Sequence, residues 1–184
     1  MPELSSDIEA KQYQNIPNSH QNGHVIKLDD TDPNDPTSVK KTSSGKGYQV
    51  TMDWEIDEGE YAGRVVRYDN LSVGGNYIDK DTKEEKPLNL TKLCEFLSLT
   101  GVKWECTHCK SGKRGHKFYI GTGEDGLNKG TYYCPDCKNP KLKINYNTSD
   151  FLGARCGLSI GSKPQQGSDK EFNIVKGYLP LRTY

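Results

Sequence analysis

The chain has little of what builds a large core. Of its 184 residues 32% are hydrophobic, with two Met, two Trp and four Phe, and the mean hydropathy is −0.86. A compact core is expected, with part of the chain outside it. No apolar run approaches the roughly 20 residues that span a bilayer. The opening MPELSSDIEAK lacks the basic and apolar regions of a signal peptide. Together these absences predict a cytoplasmic protein with no membrane partner, in a reducing compartment where paired cysteines bind metal or do redox chemistry more often than they form disulfides. Catalytic patterns are also missing. A Mg²⁺-dependent nuclease wants clustered carboxylates, but the acids of Asp29–Asp35 sit in a Pro-broken turn and those of DWEIDEGE alternate with core positions or occupy a turn. With no Ser–His or Cys–His nucleophile arrangement in view, the sequence reads as a non-enzyme.

Net charge is absent too, since 25 Lys and Arg balance 25 Asp and Glu, but the charge is segregated. Residues 1–40 hold seven acidic and three basic side chains, whereas residues 101–146 hold nine basic and four acidic ones. A neutral chain with a basic module is a candidate for a polyanionic ligand.

The module carries two Cys-x-x-Cys pairs, Cys106/Cys109 and Cys134/Cys137, separated by 24 residues. Each pair aims two thiolates at one point, and two pairs supply the four sulfurs of a tetrahedral site. One structural Zn²⁺ is expected. Four protein ligands leave no position open for water or substrate. A thioredoxin-like site would place one pair at a helix start in a βαβ unit, and a nucleobase deaminase would need H-x-E before P-C-x-x-C. Here Pro135 lies inside the pair and no H-x-E occurs. Nothing favours an iron–sulfur cluster. His108 and His116 read as solvated or supporting residues, and Cys94 and Cys156, each among apolar neighbours, as buried inert thiols. HKFYI and GTYYC are the expected strands of a hairpin joined by the Gly-rich GTGEDGLNKG.

The rest of the chain reads mainly as β-structure. Residues 1–23, rich in Asn, Gln and Ser, are expected to form a flexible arm. A first strand is predicted at His24–Asp30. In Gly47–Ile56, Tyr48, Val50, Met52, Trp54 and Ile56 alternate with polar residues, the mark of a strand with one buried face. A third strand is predicted at Arg64–Val73 and a short helix at Asn89–Gly101, with Asn89 as cap and Gly101 closing it. Two more strands follow, in FLGARCGLSI with Leu152, Ala154, Cys156, Leu158 and Ile160 inward, and in EFNIVKGYLPL. Three strands, a helix and two strands is the element order of an oligonucleotide-binding (OB) barrel. The predicted fold is therefore mainly β: a five-stranded OB-like barrel over 24–102 and 147–184, with one short helix and a zinc-ribbon hairpin inserted at 103–146. The metal gives a stretch too small for its own core a reason to fold.

SGKGYQVTMDWEIDEGEYAGRVV, LNLTKLCEFLSLTGV, FLGARCGLSIG and FNIVKGYLPL resemble an uncharacterised family of bacteriophage proteins encoded among replication and recombination functions. The resemblance covers most of 24–100 and 150–181; the zinc insert is not part of the family's usual pattern. It implies a barrel that binds single-stranded DNA, phage replication or recombination proteins as partners, and the host cytoplasm as location. Single strands are held by a basic groove with stacking aromatics. The candidates are Arg64, Arg67 and Tyr68 on the third strand, and Lys113, Arg114, Lys117, Tyr119, Lys141 and Lys143 in the insert. The leading expectation is a largely sequence-independent single-stranded DNA binder. The alternative is an inhibitor or adaptor that docks on a host or phage protein through the zinc hairpin.

Overall fold

The computed structural model describes residues 15–29, 40–41, 48–74, 76–78, 81–87, 90–113 and 117–183. In chain order the elements are β1 (Ser19–Asp29), a short β2 (Lys40–Lys41), β3 (Tyr48–Ile56), β4 (Val65–Gly74), the small hairpin β5 (Asn76–Ile78) and β6 (Glu85–Pro87), and α1 (Thr91–Thr100). Then come the short strands of the insert: β7 (Trp104–Cys106), β8 (Gly112–Lys113), β9 (Tyr119–Ile120), β10 (Tyr132–Tyr133) and β11 (Ile144–Tyr146). A 3₁₀ turn at Thr148–Phe151 leads into β12 (Arg155–Pro164) and β13 (Glu171–Leu179). Among the described residues no helix is long and apolar enough to cross a membrane.

The long strands pair antiparallel in the order β4-β3-β1-β12-β13, and β4 packs back against β13, so the sheet curls into a nearly closed five-stranded barrel. This is the OB-like order expected from the sequence, with the helix between third and fourth long strands. Bulges interrupt the β1–β3, β3–β4 and β12–β13 pairings. An extra residue bends a strand and sharpens its twist, which lets a sheet of five close on itself.

The predicted inward face of β3 is largely as expected: Val50, Met52, Trp54 and Ile56 are buried. Tyr48 departs from it and is exposed, because it lies at the strand end, beyond the barrel wall. Leu152 is exposed as well, since the chain before Arg155 turns in 3₁₀ conformation and does not continue the strand's alternation. The first strand starts at Ser19, ahead of the expected boundary, and Ile16 is already core. Asn173 pins it there, its Oδ1 accepting from the Ile16 N–H at 2.8 Å and its Nδ2 donating to the Ile16 carbonyl at 2.7 Å. Residues 1–14 of the predicted arm lie outside the described residues.

Helix α1 covers the barrel with Leu93, Cys94, Phe96 and Leu97. Its expected cap, Asn89, lies outside the described residues; Leu90 holds the N-cap position without a side-chain hydrogen bond. Gly101 ends the helix in the left-handed region at φ 71°, its N–H returning to the Leu97 carbonyl, a conformation a Cβ would oppose. Phe96 meets Trp54, Tyr178 and Phe151 with ring centroids 6.1, 5.4 and 4.7 Å away. Beside this cluster Asp69 is only 4% exposed. Its carboxylate accepts from Trp54 Nε1 at 2.9 Å, Tyr178 Oη at 2.7 Å and Lys92 Nζ at 2.7 Å. A buried charge is tolerated only when paired and hydrogen-bonded, and here the partners tie β3, β4, β13 and α1 together.

Candidate metal centre and candidate nucleic-acid interface

The two Cys-x-x-Cys turns grow from paired short strands. Cys106 ends β7, whose partners are β8 and β11; Cys134 follows β10, which pairs with β9 as the expected hairpin. The residue after each second cysteine, Lys110 and Lys138, has positive φ, 52° and 46°. The same backbone device thus turns both loops toward one point. The Sγ atoms of Cys106, Cys109, Cys134 and Cys137 all lie within 4.8 Å of one another. Two pairs taken across the loops, Cys106–Cys137 and Cys109–Cys134, stand at 3.7 Å. A tetrahedron with metal–sulfur bonds of about 2.3 Å has sulfur–sulfur edges of about 3.8 Å. The donor set therefore fits a metal ion.

Electrostatics leads to the same fit. The Ser111 hydroxyl and N–H, donating to Cys109, draw its thiol down to about 6. Cys137 is pushed up to about 12: the Asn139 N–H works to lower it, but desolvation and the neighbouring sulfurs of Cys106, Cys109 and Cys134 outweigh that contact. Four adjacent thiols cannot all ionise without a cation between them. His108 is engaged elsewhere, its Nε2 2.9 Å from the Lys141 carbonyl. His116 lies outside the described residues. Cys94 and Cys156 are buried, and desolvation pushes each thiol up to about 12, in keeping with inert packing groups.

The candidate nucleic-acid ligands divide. Arg64, Arg67 and Tyr68 line one open groove of about 770 Å³. Its other wall is the β12–β13 loop and the start of β13, with Gln165, Lys170, Glu171, Phe172 and Asn173; Asn15 also borders it. Tyr68 is 69% exposed and Phe172 43%. Lys170 and Phe172 are not among the residues that the sequence singles out. The signal for them was the element order itself, because the loop between the fourth and fifth strands borders the ligand face of an OB barrel.

In the insert, Lys117, Lys141 and Lys143 are exposed. Arg114 lies outside the described residues, and of Lys113 only the backbone, in β8, is described. Tyr119 is already occupied. Its hydroxyl donates to Asp125, a contact that raises its pKa, and Lys138 Nζ lies 4.7 Å from its ring centroid. The insert's aromatics serve packing: Trp104 stacks on Phe118 at 4.3 Å, and Phe118 meets Tyr132 edge-on.

Comparison of the chain with protein-family models, with curated proteins and with solved structures gives no match.

Proposed function

We propose that the protein binds single-stranded DNA without marked base preference, in the groove between β4 and the β12–β13 loop, and performs no chemistry on it. The observation that carries this reading is the convergence of Arg64, Arg67, Lys170, Tyr68 and Phe172 on one open groove. A single strand needs cations for its phosphates and exposed rings for its bases, and this groove offers both. Its place on the barrel agrees with the ligand face of OB folds. The sequence's resemblance to an uncharacterised family of phage proteins encoded among replication and recombination functions points the same way, toward a phage protein working in the host cytoplasm beside partners of those pathways. The four cysteines would hold one Zn²⁺. Its role would be structural, because the thiolates complete its coordination. The exposed lysines of the insert would add to the field that attracts the strand.

The test is a titration of a fluorescent single-stranded oligonucleotide at two salt concentrations, with native mass spectrometry for the metal. Binding at low salt, weaker at high salt and weaker still for duplex, is expected, with one zinc per chain. No binding at low salt by metal-loaded protein removes this reading in favour of docking on a protein.

A further inference from the structure

The pairing of β3 with β4 slips between Met52 and Trp54. Met52 faces Asp69 and Trp54 faces Val66, so Arg67 and Tyr68 together stand opposite the single residue Asp53. In an unbroken strand alternate residues point to opposite faces. With Val66 inward, Tyr68 would then point inward as well. The extra residue cancels that, and Arg67 and Tyr68 are exposed in succession while Asp69 returns to the core. Tyr68 takes the cost of the bulge. Its φ is 62°, a left-handed conformation that a bulky side chain rarely adopts. A side-chain contact holds it there: the Tyr68 N–H donates to Asp53 Oδ1 at 3.1 Å.

We infer that Asp53 is a positioning residue of the groove: its carboxylate oxygen holds the two-residue bulge open so that Tyr68 stands out as a base-stacking platform beside Arg67. The inference rests on the single-strand reading above and deepens it by assigning the stacking role to Tyr68 and its support to Asp53. A carboxylate next to a phosphate-binding groove would by its charge weaken binding. Here what it supplies is an acceptor, so acceptor and charge can be separated. Asp53→Asn keeps the oxygen and removes the charge; Asp53→Ala removes both. Glycine adopts positive φ without strain, so Tyr68→Gly should relax the bulge while deleting the ring.

The experiment compares Asp53→Ala, Asp53→Asn and Tyr68→Gly with the unaltered chain. Oligonucleotide affinity, thermal midpoint and the NMR signature of positive φ at residue 68, a strong intraresidue HN–Hα cross-peak, are read together. Asp53→Ala should weaken binding and lose the cross-peak, and Asp53→Asn should keep both. Tyr68→Gly should raise the midpoint while affinity falls by about ten-fold or more, as for loss of one stacked base. Tighter or unchanged binding by Asp53→Ala, or equal weakening by Ala and Asn, overturns the inference. If the unaltered chain binds no oligonucleotide, the proposed function and with it the stacking role fail, while the cross-peak in Asp53→Ala still decides whether Asp53 holds the bulge.

Discussion

The barrel and the cysteine insert reach order by different routes. The barrel has five strands of nine to eleven residues, long ladders and an aromatic centre of Trp54, Phe96, Phe151 and Tyr178. The strands of the insert are two or three residues long. Strands this short cannot stand alone in water, and the two loops meet at the sulfur cluster. The regions are not independent, however. Trp104, Cys106, Phe118 and Cys134 belong to the same continuous core cluster as the barrel residues. Tyr146 of β11 donates its hydroxyl to the Val73 carbonyl of β4 and stacks on Phe151. The difference teaches that an insertion can gather its own loops around a cysteine cluster and still lend apolar surface to its host.

The sharpest way to break the comparison is to remove the proposed metal. Chelation, or Cys106→Ser, should strip amide protection from 104–113 and 117–146, because structural zinc contributes about 10 kcal/mol or more to folding in small metal modules. Strands β1, β3 and β12 should stay protected, at a lower denaturant midpoint because Trp104 and Phe118 leave the shared core. Hydrogen exchange with mass spectrometry resolves both effects, and equal loss in barrel and insert would make them a single cooperative unit.

The converse experiment attacks the barrel. Asp69→Ala leaves Trp54 Nε1, Tyr178 Oη and Lys92 Nζ without their buried acceptor, and breaking a buried pair on one side costs about 3–5 kcal/mol. The denaturant midpoint should fall accordingly. Zinc stoichiometry should hold at one per chain so long as the protein stays folded.

Binding sharpens the comparison further. Arg64→Ala with Arg67→Ala should reduce the slope of log affinity against log salt by about 1.4, at roughly 0.7 per phosphate contact on a single strand. Lys141→Ala with Lys143→Ala should leave the slope closer to that of the unaltered chain, since those lysines lie on the insert and not in the groove. A larger change from the insert pair would move the binding surface to the zinc module.

The smallest effect concerns the end of β3, where His24 and Arg155 both contact Asp57 at 2.5 Å. Burial there works to raise the Asp57 pKa, but the hydrogen bonds and charges of Arg155 and His24 together hold it below its ordinary value. A carboxylate with a depressed folded pKa contributes stability above its unfolded pKa of about 3.9, and that contribution fades as pH falls through the lower folded value. Solvent screening keeps it under about 1 kcal/mol. Acid unfolding below about pH 4 should therefore be slightly less steep in Asp57→Asn than in the unaltered chain.

Much of this is legible in the sequence alone. Cys106, Cys109, Cys134 and Cys137 were readable as one cluster because two Cys-x-x-Cys turns constrain their sulfurs locally, whatever lies between. The barrel was readable because Val50, Met52, Trp54 and Ile56 alternate with polar residues, and because five strands with a helix after the third admit few arrangements. What only the tertiary structure decided is where that periodicity breaks. Alternation carried forward from the buried Val66 would put Tyr68 inside and Asp69 outside, whereas alternation carried back from Leu71 would do the opposite; the bulge opposite Asp53 reconciles the two, with Val66, Asp69 and Leu71 all buried and Tyr68 exposed. Likewise nothing local to KEFN says that Lys170 and Phe172 face Arg64 and Arg67, which lie about a hundred residues away along the chain. Spacing and periodicity are properties of neighbours in sequence. A groove is a property of a closed barrel, and closing it is what brought β4 beside the β12–β13 loop.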